Sequence, residues 1–527
     1  MNRSTISLIA GAAALAVVTG IASASAPDGS GGDTATAAAR RPVQRSSLLC
    51  PAPSPSDEAE TDYTSYTPPG DSSGGKAALT PAEVTKDTTD DGDDKSKDDK
   101  GDKGDGKGDS KDDGDGTSAD DGTSTQSAPA KPFLTAAKPG TPATGEKSGA
   151  SAPGLIGSAD GALAPGWTVQ QTTRITVGPG RGLLGLNCSA PDTDFWFPGA
   201  STADERSDYV NLTNPDDSAA VADIELYGKG GALASEVGEG IQVRPHQTVS
   251  VLLSTLTDKP ETNLTVHVTV RTGRVAAAVQ SSDEDLGADW IAPAAAPAPR
   301  LVLPGIPKDA TSARLVAFAP GDSDADLKIK LATANGTIAP AGHESLHVKA
   351  GMTAAVDLGA ITRDEPGSLL LTPADGSGTP VVAALRVVRG KGDKQESAFI
   401  PATSDMGART TAADNRAKGS TLDLVAPDKA AKVRVTASAG SKGGKGASKT
   451  YDIKAGTTAE IAPPVPSGLK GSYALTVEHL SGGPVYATRQ LEVPDDGVPM
   501  FTVQPLPDDH GTVEVPSTEQ DLSILQK

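Results

Sequence analysis

The sequence predicts an all-β protein: three tandem Ig-like β-sandwich repeats of about 105 residues, with a large disordered acidic insert near the N-terminus. Three observations predict it. The first is an internal repeat carried by Ile241–Leu253, Leu346–Gly359 and Tyr451–Pro464. In register, Val243, Val348 and Ile453 correspond, as do Thr248, Thr353 and Thr458. The second is a run of short segments rich in Val, Ile and Thr, alternating with period two and broken by Pro, Gly and Asp. The third is composition: aromatics are only 3% of 527 residues, so cores must be built from Val, Leu, Ile and Ala. Such cores suit small sandwiches better than one large enzyme domain.

Residues 1–26 read as a secretory signal peptide. Arg3 precedes an apolar stretch from Ile6 to Ile21, and A-x-A-type sites follow at Ala22-Ser23-Ala24 and Ala24-Ser25-Ala26. Only if this segment stays uncleaved would the chain be held at a membrane. Residues 27–68 form an N-terminal segment with Cys50, a strand-like patch at Arg45–Leu49 and a polar/aromatic alternation from Tyr63 to Thr67. Residues 69–161 collapse to Asp, Lys, Gly, Ser, Pro and Ala, which predicts a disordered insert, because so little apolar surface cannot offset ordering entropy. Asp87–Asp121 alone holds 15 Asp and 6 Lys, so −9 of the net charge of −21 is local. A solvated acidic segment accounts for it without a ligand, and no basic, aromatic-laced stripe suggests nucleic acid. Residues 162–193 are a β segment with Cys188, alternating at Gly166–Gln171 and Arg174–Val177.

Repeats 1, 2 and 3 then span 194–290, 291–396 and 397–510, followed by a C-terminal tail, 511–527. Each is expected to follow one plan. A short strand ends at proline: Phe195–Pro198, Leu301–Pro304, Ala398–Pro401. A strand pair follows across a turn, as in Tyr209–Thr213 with Val221–Tyr227 around Asn214-Pro215-Asp216-Asp217. After the Val/Thr register comes a closing hairpin, such as Val266–Val270 with Val275–Val279. Seven or so strands per repeat fit an Ig-like sandwich. The alternative is a β-propeller with two four-stranded blades per repeat.

Candidate chemistry is sparse. Cys50 and Cys188 are an even pair in an exported chain and read as one disulfide. His343-Glu344-Ser345-Leu346-His347 spells H-E-x-x-H, but zinc chemistry needs it on a helix, and here it runs into the strand position Val348. On a strand the two histidines lie about 13 Å apart. Gly180-Arg181-Gly182-Leu183-Leu184-Gly185 matches G-x-G-x-x-G without a helix start after it. Asp102–Asp115 lacks the bidentate Glu of an EF-hand loop. No nucleophile–base pair stands out, so neither an enzyme nor a cofactor is expected. The aromatics Phe195, Trp196 and Phe197, together with Trp290, are the candidate binding surface: exposed, they would stack on sugar rings or on a partner protein; the cognate positions Leu301–Leu303 and Ala398–Ile400 are apolar too, which argues instead for a strand packed at a domain boundary.

Four strings together carry a resemblance: Arg45–Ser54, Cys188–Ser201, Tyr209–Gly228 and Leu346–Gly359. The chain resembles a family of secreted proteins from high-GC actinobacteria, the domain-of-unknown-function family 5719. The resemblance implies export to the envelope of a Gram-positive actinobacterium and implies no activity, so no functional residues are carried over. The function expected is a non-catalytic cell-envelope protein, secreted or on the extracellular side, acting as adhesion, scaffold or assembly accessory. The alternative is a carbohydrate-recognition module in cell-wall polysaccharide assembly. The partner would be a cell-wall polysaccharide or another envelope protein.

Overall fold

Alternating Val, Ile and Leu positions in repeat 2 point into one core shared by two sheets. A computed structural model describes residues 39–70, 73–84, 131–178, 180–235, 237–374, 376 and 378–515. The signal segment and the Asp87–Asp121 run lie outside the described residues. Among the described residues the elements are β-strands and two single-turn 3-10 segments, Gly161–Leu163 and Leu253–Thr255.

Repeat 1 shows the plan. One sheet runs Asp194–Ala200 (the opening strand), Leu264–Thr272 (return), Ala220–Gly228 (third) and then the short outer strands Gly231–Leu233 and Ile241–Val243. The facing sheet runs Gly287–Ile291 (last), Ala276–Asp283 (penultimate), Arg206–Thr213 (second) and Gln247–Leu252 (rim). Pairing of second with rim and of third with return is the central pairing of an Ig sandwich. The opening and penultimate strands sit on the opposite sheets from their Ig counterparts. Repeat 2 repeats the order from Leu301–Ile306 to Lys394–Pro401, and repeat 3 from Arg409–Asn415 to Phe501–Pro505. Each core takes side chains from both sheets, as Leu303, Ile329 and Leu369 do against Leu315, Leu385 and Ile400. The sandwich expectation therefore holds, and independent propeller blades do not describe a repeat.

Three sequence expectations are corrected. The second and third strands, and the return and penultimate strands, lie in opposite sheets. The turns between them, including Asn214-Pro215, Ala319-Pro320 and Ala426-Pro427, carry the chain across the sandwich and do not close hairpins. Ala398–Pro401 belongs to the last strand of repeat 2, so repeat 3 opens at Arg409–Asn415. Finally, residues expected to lie in a disordered insert form strands Ala77–Pro81, Leu134–Ala136, Ala143–Ser148 and Leu155–Asp160.

Those strands complete a fourth copy of the sandwich, the N-terminal module. Its sheets run Arg45–Cys50, Leu155–Asp160, Ala77–Pro81, Leu134–Ala136 and Gly182–Asn187, Thr168–Ile175, Glu60–Tyr66, Ala143–Ser148. The order matches repeats 1 to 3, with the acidic stretch falling between the third and outer strands. Cys50 and Cys188 are bonded, their Cα atoms 4.6 Å apart, which ties the opening strand of this module to the end of its last strand.

The four sandwiches close into a ring. At the end of each second strand, Tyr66, Thr213, Phe318 and Val425 are equivalent. Phe318 packs on Trp196 and Tyr227 of repeat 1, and Val425 on Val302, Ala332 and Leu370 of repeat 2. Tyr66 packs on Ala413 and Ala474 of repeat 3, which closes the circle. Thr213 lies beside Leu49 and Pro51 of the N-terminal module. Glu83–Val84 of that module also pairs in parallel with the start of the rim strand of repeat 1.

The threonine register locks two of these seams. Thr353 Oγ1 donates to Tyr227 O at 2.6 Å and lies 3.1 Å from Thr265 Oγ1. Thr458 Oγ1 donates to Ala332 O at 2.6 Å and lies 2.9 Å from Ser368 Oγ. Both threonines are buried. Thr353→Val and Thr458→Val each remove a buried hydroxyl's hydrogen bonds across a seam, so each should lower unfolding free energy by about 0.5–1.5 kcal/mol in urea titrations. The same change at the half-buried Thr248, whose Oγ1 meets only Thr213 Oγ1, should cost less. Equal costs at all three would contradict the seam-locking role.

Candidate functional site

Every aromatic singled out in the sequence is buried. Phe195, Trp196, Phe197 and Trp290 are 5, 7, 0 and 2% exposed. Phe195 and Phe197 belong to the core of repeat 1. The His267 imidazole covers Trp196 at 3.6 Å between ring centres, and is itself gripped by Asp194 and Glu225. Trp290 packs on Leu184 and Leu186 of the N-terminal module. The exposed stacking surface is therefore corrected, and the packed strand is what the structure shows: a continuous apolar run such as Phe195–Phe197 is the pattern of a strand buried on both faces.

The other motifs resolve as structure. His347 lies on the strand Ser345–Val348 and pairs with Asp326 at 2.8 Å, while Glu344 accepts from Gly342 N–H at 2.9 Å. Among the described residues no group of three His, Cys, Asp or Glu is placed to hold a metal ion. The G-x-G-x-x-G match runs into the last strand of the N-terminal module, Gly182–Asn187. Its glycines permit close approach: a Cβ at Gly182 would stand 2.3 Å from Ala288 O, and one at Gly185 would stand 2.5 Å from Gln504 Nε2.

That strand leads to the centre of the ring. The last strands Gly182–Asn187, Gly287–Ile291, Lys394–Pro401 and Phe501–Pro505 touch in cyclic order. Each is the edge of its sheet, with backbone groups left unpaired by the ladder. Carboxylates from neighbouring modules accept from two of these groups: Leu183 N–H donates to Glu396 Oε1 at 2.9 Å, and Gly185 N–H to Asp289 Oδ1 at 3.1 Å. Asn187 Nδ2 donates to Pro505 O at 2.8 Å. Burial pushes Glu396 up to about 8 and Asp289 well above the usual carboxylate range, against these hydrogen bonds. Asp423, buried at the seam of repeats 2 and 3 and bonded by Gln490, is pushed up to about 7 by the same desolvation. No local pattern in the sequence signals the pairings of Leu183, Gly185 and Asn187, because they join positions more than a hundred residues apart.

Three open clefts lie at seams. Two adjoin where the N-terminal module meets repeat 3, of about 360 and 350 Å³, and share Asp62, Glu146 and Arg416. Arg416 Nη2 stands 2.9 Å from Asp62 Oδ2 and 3.7 Å from Asp414 Oδ2, and Thr172 Oγ1 donates to Asp414 at 2.9 Å. Arg174 pairs with Asp495 at 2.7 Å. Burial raises the Asp62 pKa; Arg416 opposes it, and Asp414, Glu146 and Glu60 add to it. Hydroxyls of Thr64, Thr144 and Ser472 complete the lining. The surface offers paired donors and acceptors to a polar ligand and sets no nucleophile against a base.

The raised carboxyls make stability depend on pH. Glu396 and Asp423 bind protons in the folded chain that the unfolded chain releases above their ordinary values of 4.5 and 3.8. Their contribution is whole below those values and is lost as pH rises through about 7 and about 8. Thermal midpoints should therefore fall between pH 5 and 9. Glu396→Gln, which keeps an acceptor for Leu183 N–H, should flatten the upper part of the fall. A midpoint that climbs over this range would contradict the assignment.

No curated protein and no solved structure matches the chain. A family model described as "Family of unknown function (DUF5719)" matches residues 143–464, more than half of the sequence. The match starts inside the N-terminal module and ends inside repeat 3, so it crosses every seam between consecutive modules. The chain belongs to this family, DUF5719.

Proposed function

We propose that this is an exported, non-catalytic cell-envelope protein of an actinobacterium, acting as an adhesion, scaffold or assembly accessory. The ring is the observation that carries the reading. Four copies of one sandwich are locked face to face, and the two clefts where the N-terminal module meets repeat 3 carry paired charges and hydroxyls. Rigid modules presenting loops and seams suit the bridging of partners. The Cys50–Cys188 bond agrees with an oxidising, extracellular setting, and among the described residues no helix is long and apolar enough to cross a membrane. The carbohydrate-recognition alternative rested on an exposed Trp196 or Trp290; with both buried, no specific observation favours it.

Cosedimentation of disulfide-intact residues 27–527 with washed actinobacterial cell walls tests the reading. The protein should pellet at low and at high salt. Arg416→Ala removes a charged group from the seam cleft, and losing one such hydrogen bond, about 1.5–3 kcal/mol, should weaken retention roughly tenfold or more. Protein that stays in the supernatant at both salts would rule out wall attachment.

A further inference from the structure

We propose that repeat 3 encloses a binding site for one small inorganic anion of the halide class, held by Arg489 with Gln504 and Tyr473. Asp414, which acts electrostatically on Arg489, lines the seam cleft, whose lining includes none of Arg489, Gln504 and Tyr473.

Arg489 heads the largest fully buried side chains of the molecule. Its Nη2 donates to Gln170 Oε1 at 3.0 Å, while Nε and Nη1 meet no protein acceptor. The carboxylate that acts on it electrostatically, Asp414, is bonded by Thr172 and lies near Arg416. Burial draws Arg489 down to about 10, so it stays charged at neutral pH. Gln504 is its cross-strand partner and shares its face of the sheet. Gln504 is 1% exposed, and neither of its amide atoms has a protein partner. The Tyr473 hydroxyl, within electrostatic reach of Arg489, is likewise buried and unpartnered. Asn415, whose Nδ2 donates to Tyr473 O, carries a further unpartnered acceptor, Oδ1. A buried cation surrounded by unused N–H and O–H donors fits a small anion, which accepts from them and balances the charge.

The chain carries its own control. In repeats 1 and 2 the positions equivalent to Arg489 and Gln504 are Val279 with Ile291 and Leu385 with Ile400, all inside apolar cores. In the N-terminal module the equivalent pair is Gln171 with Leu186, so a buried polar side chain recurs there, but among the described residues repeat 3 alone places a charged group at this position.

The test uses the full exported chain. Its thermal midpoint, followed at constant ionic strength as sodium gluconate is replaced by sodium chloride or bromide, should rise by a few degrees and saturate. Arg489→Val/Gln504→Ile, copying repeat 1, should abolish the halide response. Crystals of the unmodified protein grown with bromide should show an anomalous peak beside Arg489, a readout that does not depend on the variant folding. No halide-specific rise, the same rise in the double variant, or density for water alone beside Arg489 would each overturn the proposal.

Discussion

The structure depends on covering apolar patches on the outer faces of its sheets. A sandwich buries one face of each sheet in its own core, but here parts of the outer faces are apolar as well. Val302, Ala332 and Leu370 form one such patch and Trp196 with Tyr227 another. In a string of modules, the faces at the two ends would meet water. Closing the string removes both ends: Tyr66 of the first module covers Ala413 and Ala474 of the last. Burial of apolar area contributes about 25 cal/mol per Å², so each seam is driven by the same force as the cores it joins.

Closure carries a cost at the centre. Four edge strands meet there, and edge strands have backbone groups that must find partners. The centre is buried, and the partners are side chains from other modules. Glu396 and Asp289 accept from the N-terminal module's last strand and remain almost wholly buried to do so. Desolvation favours their neutral form. Gly182 and Gly185 let the strand come close enough, since a Cβ at either would strike a neighbour. The disulfide fastens the end of this same strand to the opening strand of its module.

Much of this was legible in the sequence. Val243, Val348 and Ile453 stood out as equivalent core positions, and all three are buried in their respective cores. The threonines beside them were visible as a register; their role at the seams was not, because their partners lie in the preceding repeat. The N-terminal module was missed for a physical reason. Residues 82–133 separate its third and outer strands, which breaks the spacing, and strands such as Ala143–Ser148 are made of Ala, Thr, Gly, Glu, Lys and Ser. Pairing with neighbours holds such a strand in place despite its weak β-propensity. The strand crossings read as hairpins because a Pro/Asp turn looks the same whether the chain returns to the same sheet or passes to the other. The aromatic run Phe195–Phe197 was legible as a packed strand from its apolar counterparts in the other repeats; which module covers its outer face was not.

Ring closure is most directly tested by a distance between the modules that are far apart in sequence and adjacent in space. Glu146 of the N-terminal module and Lys442 of repeat 3 line one cleft. Spin labels at Glu146→Cys and Lys442→Cys, measured by double electron–electron resonance with the Cys50–Cys188 bond intact, should give one short and narrow distance distribution. A long or broad distribution would mean that the first and last sandwiches do not meet, and the ring would be wrong.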